Sequence, residues 1–113
     1  MIQTASDLTQ EEQIAQILHE LNFPVYRIGY IQLCIGIPHF CSDFTQSLSK
    51  ELYPYIAEQV GNTSALAVEH AIRKVIRAAY ESCDPKVWAK FFPGGRKVPS
   101  NKLFIATLAE RLK

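Results

Sequence analysis

The chain has 113 residues and a mass of 12.8 kDa, with 48% apolar and 20% charged residues. This composition predicts one folded domain and excludes a wholly disordered chain. The net charge of +1 is unevenly distributed, because residues 1–65 carry a net charge of −5 and residues 66–113 carry one of +6. A basic half predicts a polyanionic partner. Nucleic acid, an anionic membrane surface and an acidic protein all qualify, and an ordinary surface with uneven charge is the alternative.

Cysteine usage and hydropathy favour the cytoplasm. The three cysteines are an odd number, and the first twelve residues are polar and acidic rather than a signal peptide. The longest stretch without a formal charge, residues 28–42, has 15 residues and is too short to span a bilayer. We therefore expect a cytoplasmic protein with no membrane segment.

The first part of the chain predicts two helices. Residues 1–8 are expected to be a flexible lead-in, after which Thr9 and Glu12 have capping-box spacing and an apolar helical stripe follows. Residues 25–41 partly alternate like a strand, but no second strand is available to pair with them. We therefore predict a buried helix there, strained near Pro38.

The middle of the chain predicts two short helices separated by a proline. An apolar stripe over residues 44–52 indicates a helix that ends at Tyr53-Pro54. Pro54 also suits the first turn of a new helix over residues 54–60, because its missing N–H has no partner to lose there. Gly61 can adopt the positive φ that ends this helix.

The longest predicted helix covers about residues 64–82 and is amphipathic, with Glu69 at the edge between its faces. One arc of the helical wheel holds its apolar side chains, Val68, Ile72, Val75, Ile76, Ala79 and Tyr80. The opposite arc holds its basic side chains, His70, Arg73, Lys74 and Arg77.

The last part of the chain completes an all-α prediction. A short helix follows Asp84-Pro85, and a loop rich in glycine and proline covers residues 93–99. A final helix begins near Ser100 or Asn101 and is expected to bury Leu103, Phe104, Leu108 and Leu112.

Residues 54–82 have the order of a helix-turn-helix, in which the long second helix would enter a DNA major groove. The alternative is a solvated basic face in which Glu69 and Arg73 form an i,i+4 ion pair. Arg96 and Lys97, in the loop before the last helix, would help that helix N-terminus to hold a phosphate, or would only keep the loop solvated.

No metal or catalytic site is predicted. Cys34, His39 and Cys41 lack the spacing of a zinc or redox motif, so buried inert thiols are expected. No nucleophile with a base and no paired carboxylates can be assembled, so we expect neither an enzyme nor a cofactor.

Seven blocks of residues resemble a known family in the family's own order. They are ILHE (17–20), GYIQL (29–33), LYPYIA (52–57), NTS (62–64), VEHAIR (68–73), PSN (99–101) and FIA (104–106). Over about residues 14–112 the chain is similar to the C-terminal DNA-binding domain of the sporulation response regulator, stage zero sporulation protein A.

The resemblance implies a compact six-helix domain whose third and fourth helices are the helix-turn-helix. Family members bind operator boxes as tandem pairs and contact RNA polymerase. In the family an acidic and then a basic residue near the start of the recognition helix read base edges, and these positions hold Glu69 and His70 here. His70 replaces an arginine, and Leu66 and Ala67 replace a serine and an arginine, so these three departures bear on operator specificity.

We therefore predict that residues 9–113 are one effector domain, without a receiver domain, of a sequence-specific transcription regulator of the sporulation-initiation type. The predicted base contacts are Glu69, His70, Arg73 and Lys74. The predicted phosphate contacts are Thr63, Ser64, Arg77, Arg96 and Lys97. Expected partners are double-stranded DNA, RNA polymerase and a second copy in tandem, but no membrane, metal or cofactor. The alternative is a protein-interaction module of the same fold that has lost operator binding, which Leu66, Ala67 and His70 favour.

Overall fold

The computed structural model describes residues 9–94 and 97–112, which form six α-helices and no strand. The helices are α1 (Gln10–Glu20), α2 (Ile28–Cys41), α3 (Tyr53–Val60), α4 (Ala65–Ser82), α5 (Pro85–Phe91) and α6 (Asn101–Glu110). The all-α, six-helix prediction is confirmed, whereas the lead-in predicted for residues 1–8 lies outside the described residues. None of the described helices is long and apolar enough to cross a membrane.

Three helices begin at a threonine or serine cap close to the start that the sequence predicts. Thr9 Oγ1 accepts the N–H of Glu12 at 3.1 Å, and Glu12 Oε1 accepts the N–H of Thr9 at 3.0 Å, which completes the capping box of α1. Ser64 caps α4 and Ser100 caps α6, each by accepting the N–H three residues further on. Local spacing therefore sets where these helices start.

Helix α2 lies at the centre of the fold, as predicted for a buried helix, and Pro38 lies inside it. It contacts α1, α3, α4 and α6, so apolar side chains are needed on most of its circumference. Two glycines permit close contacts with the helix-turn-helix. A Cβ on Gly29 would lie 2.6 Å from the carbonyl oxygen of Ala71 in α4, and one on Gly36 would lie 2.5 Å from Cδ1 of Ile56 in α3.

The prediction of a separate helix over residues 44–52 is wrong. Phe44 lies in a turn, and a π-helical turn, Leu48–Leu52, runs without a break into α3. The N–H groups of Leu52 and Tyr53 donate to carbonyls five residues back rather than four. This wider turn precedes Pro54, which has no N–H and whose ring would crowd the carbonyl four residues back.

The expected burial of Leu103 is also wrong, because this residue is 53% exposed. The buried face of α6 consists of Phe104, Ile105, Leu108 and Ala109, and Leu112 is half-buried after the helix ends. The face is wide because α6 contacts α2 along its length and also reaches α4. Leu103 instead lines an open apolar groove with Phe91 and Val98.

Candidate nucleic-acid interface

Helices α3 and α4 form the predicted helix-turn-helix, joined by residues 61–64. Gly61 has a φ of 81° and Asn62 a φ of 54°, both in the left-handed region that glycine and asparagine tolerate best. Ile56 of α3 and Val68 and Ile72 of α4 are fully buried, so the apolar arcs of both helices face the core. The opposite side of α4 is therefore turned away from the core.

That outer side carries the basic residues that the helical wheel predicts. His70, Arg73, Lys74 and Arg77 are all exposed, and the side chains of His70 and Arg73 are 54% and 61% accessible. Glu69 lies at the edge of the face and its side chain is 21% accessible. The four residues predicted to read bases thus lie on the outer face of α4 or at its edge.

Glu69 is engaged by both of its basic neighbours. Its Oε2 accepts a hydrogen bond from Nη2 of Arg73 one turn along the helix, and its Oε1 lies 3.5 Å from Nε2 of His70. The ion pair foreseen as the alternative to base reading therefore exists in the DNA-free protein. Because a guanidinium carries five N–H donors, this pair orients Arg73 while leaving donors for another ligand.

Two open grooves flank α4. The α6 groove, of about 420 Å³, lies between α4 and the start of α6, and its polar lining is Tyr53, Glu69, Arg73, Arg77, Ser100, Asn101 and Lys102. The α2 groove, also about 420 Å³, lies between α4 and the start of α2, and is lined by Arg27, Ile28, Gly29, Ala67, His70, Ala71 and Lys74. The basic residues of α4 are thus divided between two sides.

Two cations beside α4 were missed by sequence reasoning. Lys102, in the first turn of α6, lines the α6 groove, and its place just after a predicted helix cap was a signal that could have identified it. Arg27, the N-terminal flanking residue of α2, lines the α2 groove beside His70 and Lys74. No sequence signal identified Arg27, because its position depends on how α2 crosses α4.

The predicted phosphate contacts are not all brought together. Arg77 lines the α6 groove, and Ser64 caps α4 with its Oγ as acceptor, which leaves its hydroxyl hydrogen free to donate. Thr63 is half-buried in the turn. Lys97 is exposed but lines the apolar groove beside Leu103 instead. Arg96 lies outside the described residues.

The cysteines are free thiols, and no cluster of potential metal ligands occurs within residues 9–94 and 97–112. Cys83 is buried, whereas Cys34 and Cys41 are half-buried rather than fully buried as expected. Burial raises the pKa of Cys34 and of Cys83 above the ordinary thiol value, which keeps both groups protonated near neutral pH.

Comparison with known protein families identifies the fold. The family described as "Sporulation initiation factor Spo0A C terminal" matches residues 14–112. The match begins at Ile14, the first buried residue of α1, and continues past the end of α6, so it includes the whole helix-turn-helix and both flanking grooves. The resemblance carried by the seven sequence blocks is confirmed. The chain belongs to the family of Spo0A C-terminal domains, the DNA-binding domains of sporulation-initiation regulators.

Proposed function

We propose that this chain binds double-stranded DNA sequence-specifically, with α4 in the major groove. The observation that carries the proposal is the clustering of cations on and beside the outer face of α4. Arg73, Lys74 and Arg77 project from the helix itself, and Arg27 and Lys102 reach it from the two grooves. A cationic helix of this kind, presented by a helix-turn-helix, matches the shape and charge of a major groove.

In this proposal Glu69, His70, Arg73 and Lys74 face the base edges. Arg73, oriented by Glu69, can donate two parallel hydrogen bonds to guanine, and such a pair contributes about 1–3 kcal/mol of discrimination. His70 offers a single donor or acceptor from each ring nitrogen, so it reads a base less strictly than an arginine would. Specificity would therefore rest mainly on the Glu69–Arg73 pair.

Several of the proposed phosphate contacts flank this central group. Thr63 and Ser64 lie at the start of α4 and Arg77 lies further along it, and we add Arg27 and Lys102 to the predicted set of Thr63, Ser64, Arg77, Arg96 and Lys97. Each phosphate neutralised by a cation releases counterions, so the logarithm of the affinity should fall with the logarithm of the salt concentration with a slope of about −0.9 per contact.

A protein partner beside the DNA is the second part of the proposal. Tyr26 is 83% exposed, and Val25, Ile28 and Ile31 next to it are exposed too. An apolar patch of this kind supports contact with RNA polymerase or with a second copy bound in tandem. The same patch, together with the exposed Leu66 on α4, favours the alternative function, a protein-interaction module without operator binding.

Fluorescence anisotropy tests the proposal. Two labelled duplexes, one with the family's operator box and one scrambled, are titrated across a salt series. Steep salt dependence with either duplex supports DNA binding, and preference for the box supports the family's specificity. Equal, salt-sensitive binding to both would indicate a different target sequence. Absence of binding at low salt would overturn the proposal and favour the protein-interaction module.

Replacing Arg73 should weaken binding to both duplexes. We expect Arg73→Ala to reduce affinity for the preferred duplex by about 5- to 150-fold, the equivalent of one lost bidentate contact, and to lower the salt slope. The matched control is Lys86→Ala, because Lys86 is an exposed cation in the first turn of α5 and lines neither groove. Equal losses in the two variants would indicate that only net charge matters.

A further inference from the structure

One amide group connects α6 to both helices of the helix-turn-helix. Nδ2 of Asn101, the first residue of α6, donates to the hydroxyl oxygen of Tyr53 and to the main-chain oxygen of Glu69, each at 3.1 Å. Tyr53 is the first residue of α3, and Glu69 lies early in α4. Both amide hydrogens of Asn101 are thus used, one on each helix.

Asn101 is anchored within α6 by the helix cap and by the buried side chains of the next turn. Ser100 caps α6 through its Oγ, which accepts the N–H of Leu103 at 3.1 Å and fixes the backbone at Asn101. Phe104 and Ile105, in the next turn, are fully buried in the core. The amide therefore projects from an anchored helix end, from which it can hold α3 and α4 in place.

The bond to Glu69 is made at the residue that orients Arg73. The side chain of Glu69 accepts from Arg73, while its carbonyl accepts from Asn101, so the backbone anchor and the ion pair belong to the same residue. A small rotation or slide of α4 would move the guanidinium away from a base edge, and base readout tolerates such displacement poorly. Phosphate contacts made by flexible cations tolerate it better.

We propose that Asn101 is a positioning residue for sequence discrimination. Its amide holds the backbone of Glu69 and thereby keeps the Glu69–Arg73 pair in the position from which it reads bases. The inference rests on the proposed function, since it requires that α4 reads DNA. Tyr53, whose ring is buried and whose hydroxyl accepts from the same amide, is the second residue that Asn101 holds, and it fixes α3 relative to α4.

The main test is Asn101→Asp. The two side chains have nearly the same shape, and a carboxylate in the first turn of a helix is favourable, so the fold should persist. The carboxylate cannot donate to the carbonyl of Glu69, and its oxygens would repel that carbonyl. We expect the ratio of affinities for a preferred and a scrambled duplex to fall on the order of tenfold. Because Asn101 lines the α6 groove with Arg77 and Lys102, the added negative charge should also weaken binding to both duplexes, so the ratio is the quantity that tests the role.

The preferred duplex is the sequence that the unaltered protein selects from a random pool, so the test does not depend on the family's operator. Asn101→Ala removes the same donors without adding charge and should lower the ratio too, which keeps the test valid if the aspartate variant does not fold. In an Arg73→Ala background, Asn101→Asp should have no further effect on the ratio, because the group that it positions is absent.

Each outcome separates the two proposals. If the unaltered protein selects no sequence and binds no duplex in a salt-dependent way, the proposed function and this inference both fail. If it selects a sequence but both Asn101 variants keep the ratio, only the positioning role fails. A parallel loss of affinity for both duplexes in Asn101→Ala, which adds no charge, would leave the ratio unchanged, assign Asn101 a merely structural role and overturn the inference.

Discussion

At the scale of single residues, the ion pair observed on α4 can coexist with the base reading proposed there, although sequence reasoning treated the two as alternatives. Glu69 and Arg73 form an ion pair on a largely exposed helix face, where such a pair contributes only a few tenths of a kcal/mol to stability. In the proposed DNA complex its greater consequence would be to restrict the rotamers of Arg73 before DNA binds, which would lower the entropy cost of forming a bidentate contact. The ion pair and base reading are therefore compatible within one arrangement.

We propose His70 as a position at which a substitution changes operator specificity. Its side chain is more than half exposed beside the α2 groove, so an arginine can be accommodated there without repacking. We expect His70→Arg to shift the preferred base toward guanine at one operator position, because arginine can donate two hydrogen bonds to guanine and imidazole cannot.

Selection over random duplexes, carried out with the original protein and with His70→Arg, measures this shift. His70→Gln serves as the control, since it introduces a polar side chain of similar size without a guanidinium. An identical selected sequence for the protein and for His70→Arg would remove His70 from the base-reading set.

At the scale of whole elements, the position of α4 depends on its contact with α2. The backbones approach closely at Gly29, where an added Cβ would lie 2.6 Å from the carbonyl oxygen of Ala71 and 2.8 Å from Cγ1 of Val75. At Gly36 the added Cβ would meet only the end of the Ile56 side chain, at 2.5 Å from Cδ1. A carbonyl in a helix cannot move aside, whereas an isoleucine terminus can change rotamer.

We expect Gly29→Ala to destabilise the fold by about 1–3 kcal/mol, the usual cost of overpacking a core. Gly36→Ala should be close to neutral, because a gain of roughly 1 kcal/mol in helix propensity offsets a smaller clash. Urea unfolding followed by far-UV circular dichroism compares the two free energies. The reverse order of stability would show that this backbone contact does not limit how closely α2 and α4 can pack.

At the scale of the molecule, all six described helices contribute to one core. Ile14, Leu33, Ile56, Ile72 and Trp88 are buried in it, from α1 to α5 in turn, together with Phe104 of α6. The fold brings together charges that are separated along the sequence, because Arg27, which belongs to the acidic half, lies beside the basic face of α4. We therefore propose that the described helices behave as one domain.

One domain with one core should unfold in a single step. The ring centroid of Trp88, the only tryptophan, lies 5.3 Å from that of Phe92 and 6.2 Å from that of Phe104. Its fluorescence therefore reports on the core. We expect fluorescence and far-UV circular dichroism to give coincident urea transitions, with a slope of about 1–3 kcal/mol per molar. Two separate transitions would instead indicate independently folding parts.

Much of this fold was predictable because its signals are local. The caps at Thr9, Ser64 and Ser100 depend on residues three apart, and the two faces of α4 depend on helical periodicity alone. The order of short helix, turn and long helix then predicted the helix-turn-helix. Local spacing failed at Leu103, because which residues of α6 are buried depends on the helices that pack against it.

The amino-acid sequence by itself determined the six described α-helices, the basic face of α4 and membership of the Spo0A C-terminal family, because all three depend on residue order and short-range spacing. It did not determine the π-helical turn that replaces the helix predicted over residues 44–52. Only the tertiary structure placed Arg27 and Lys102 beside α4 and joined Asn101 to Tyr53 and Glu69. These neighbours lie 25 positions apart for Arg77 and Lys102 and up to 48 positions apart for Tyr53 and Asn101. Because such neighbours meet through the crossing of packed helices, no pattern within a single segment can encode them.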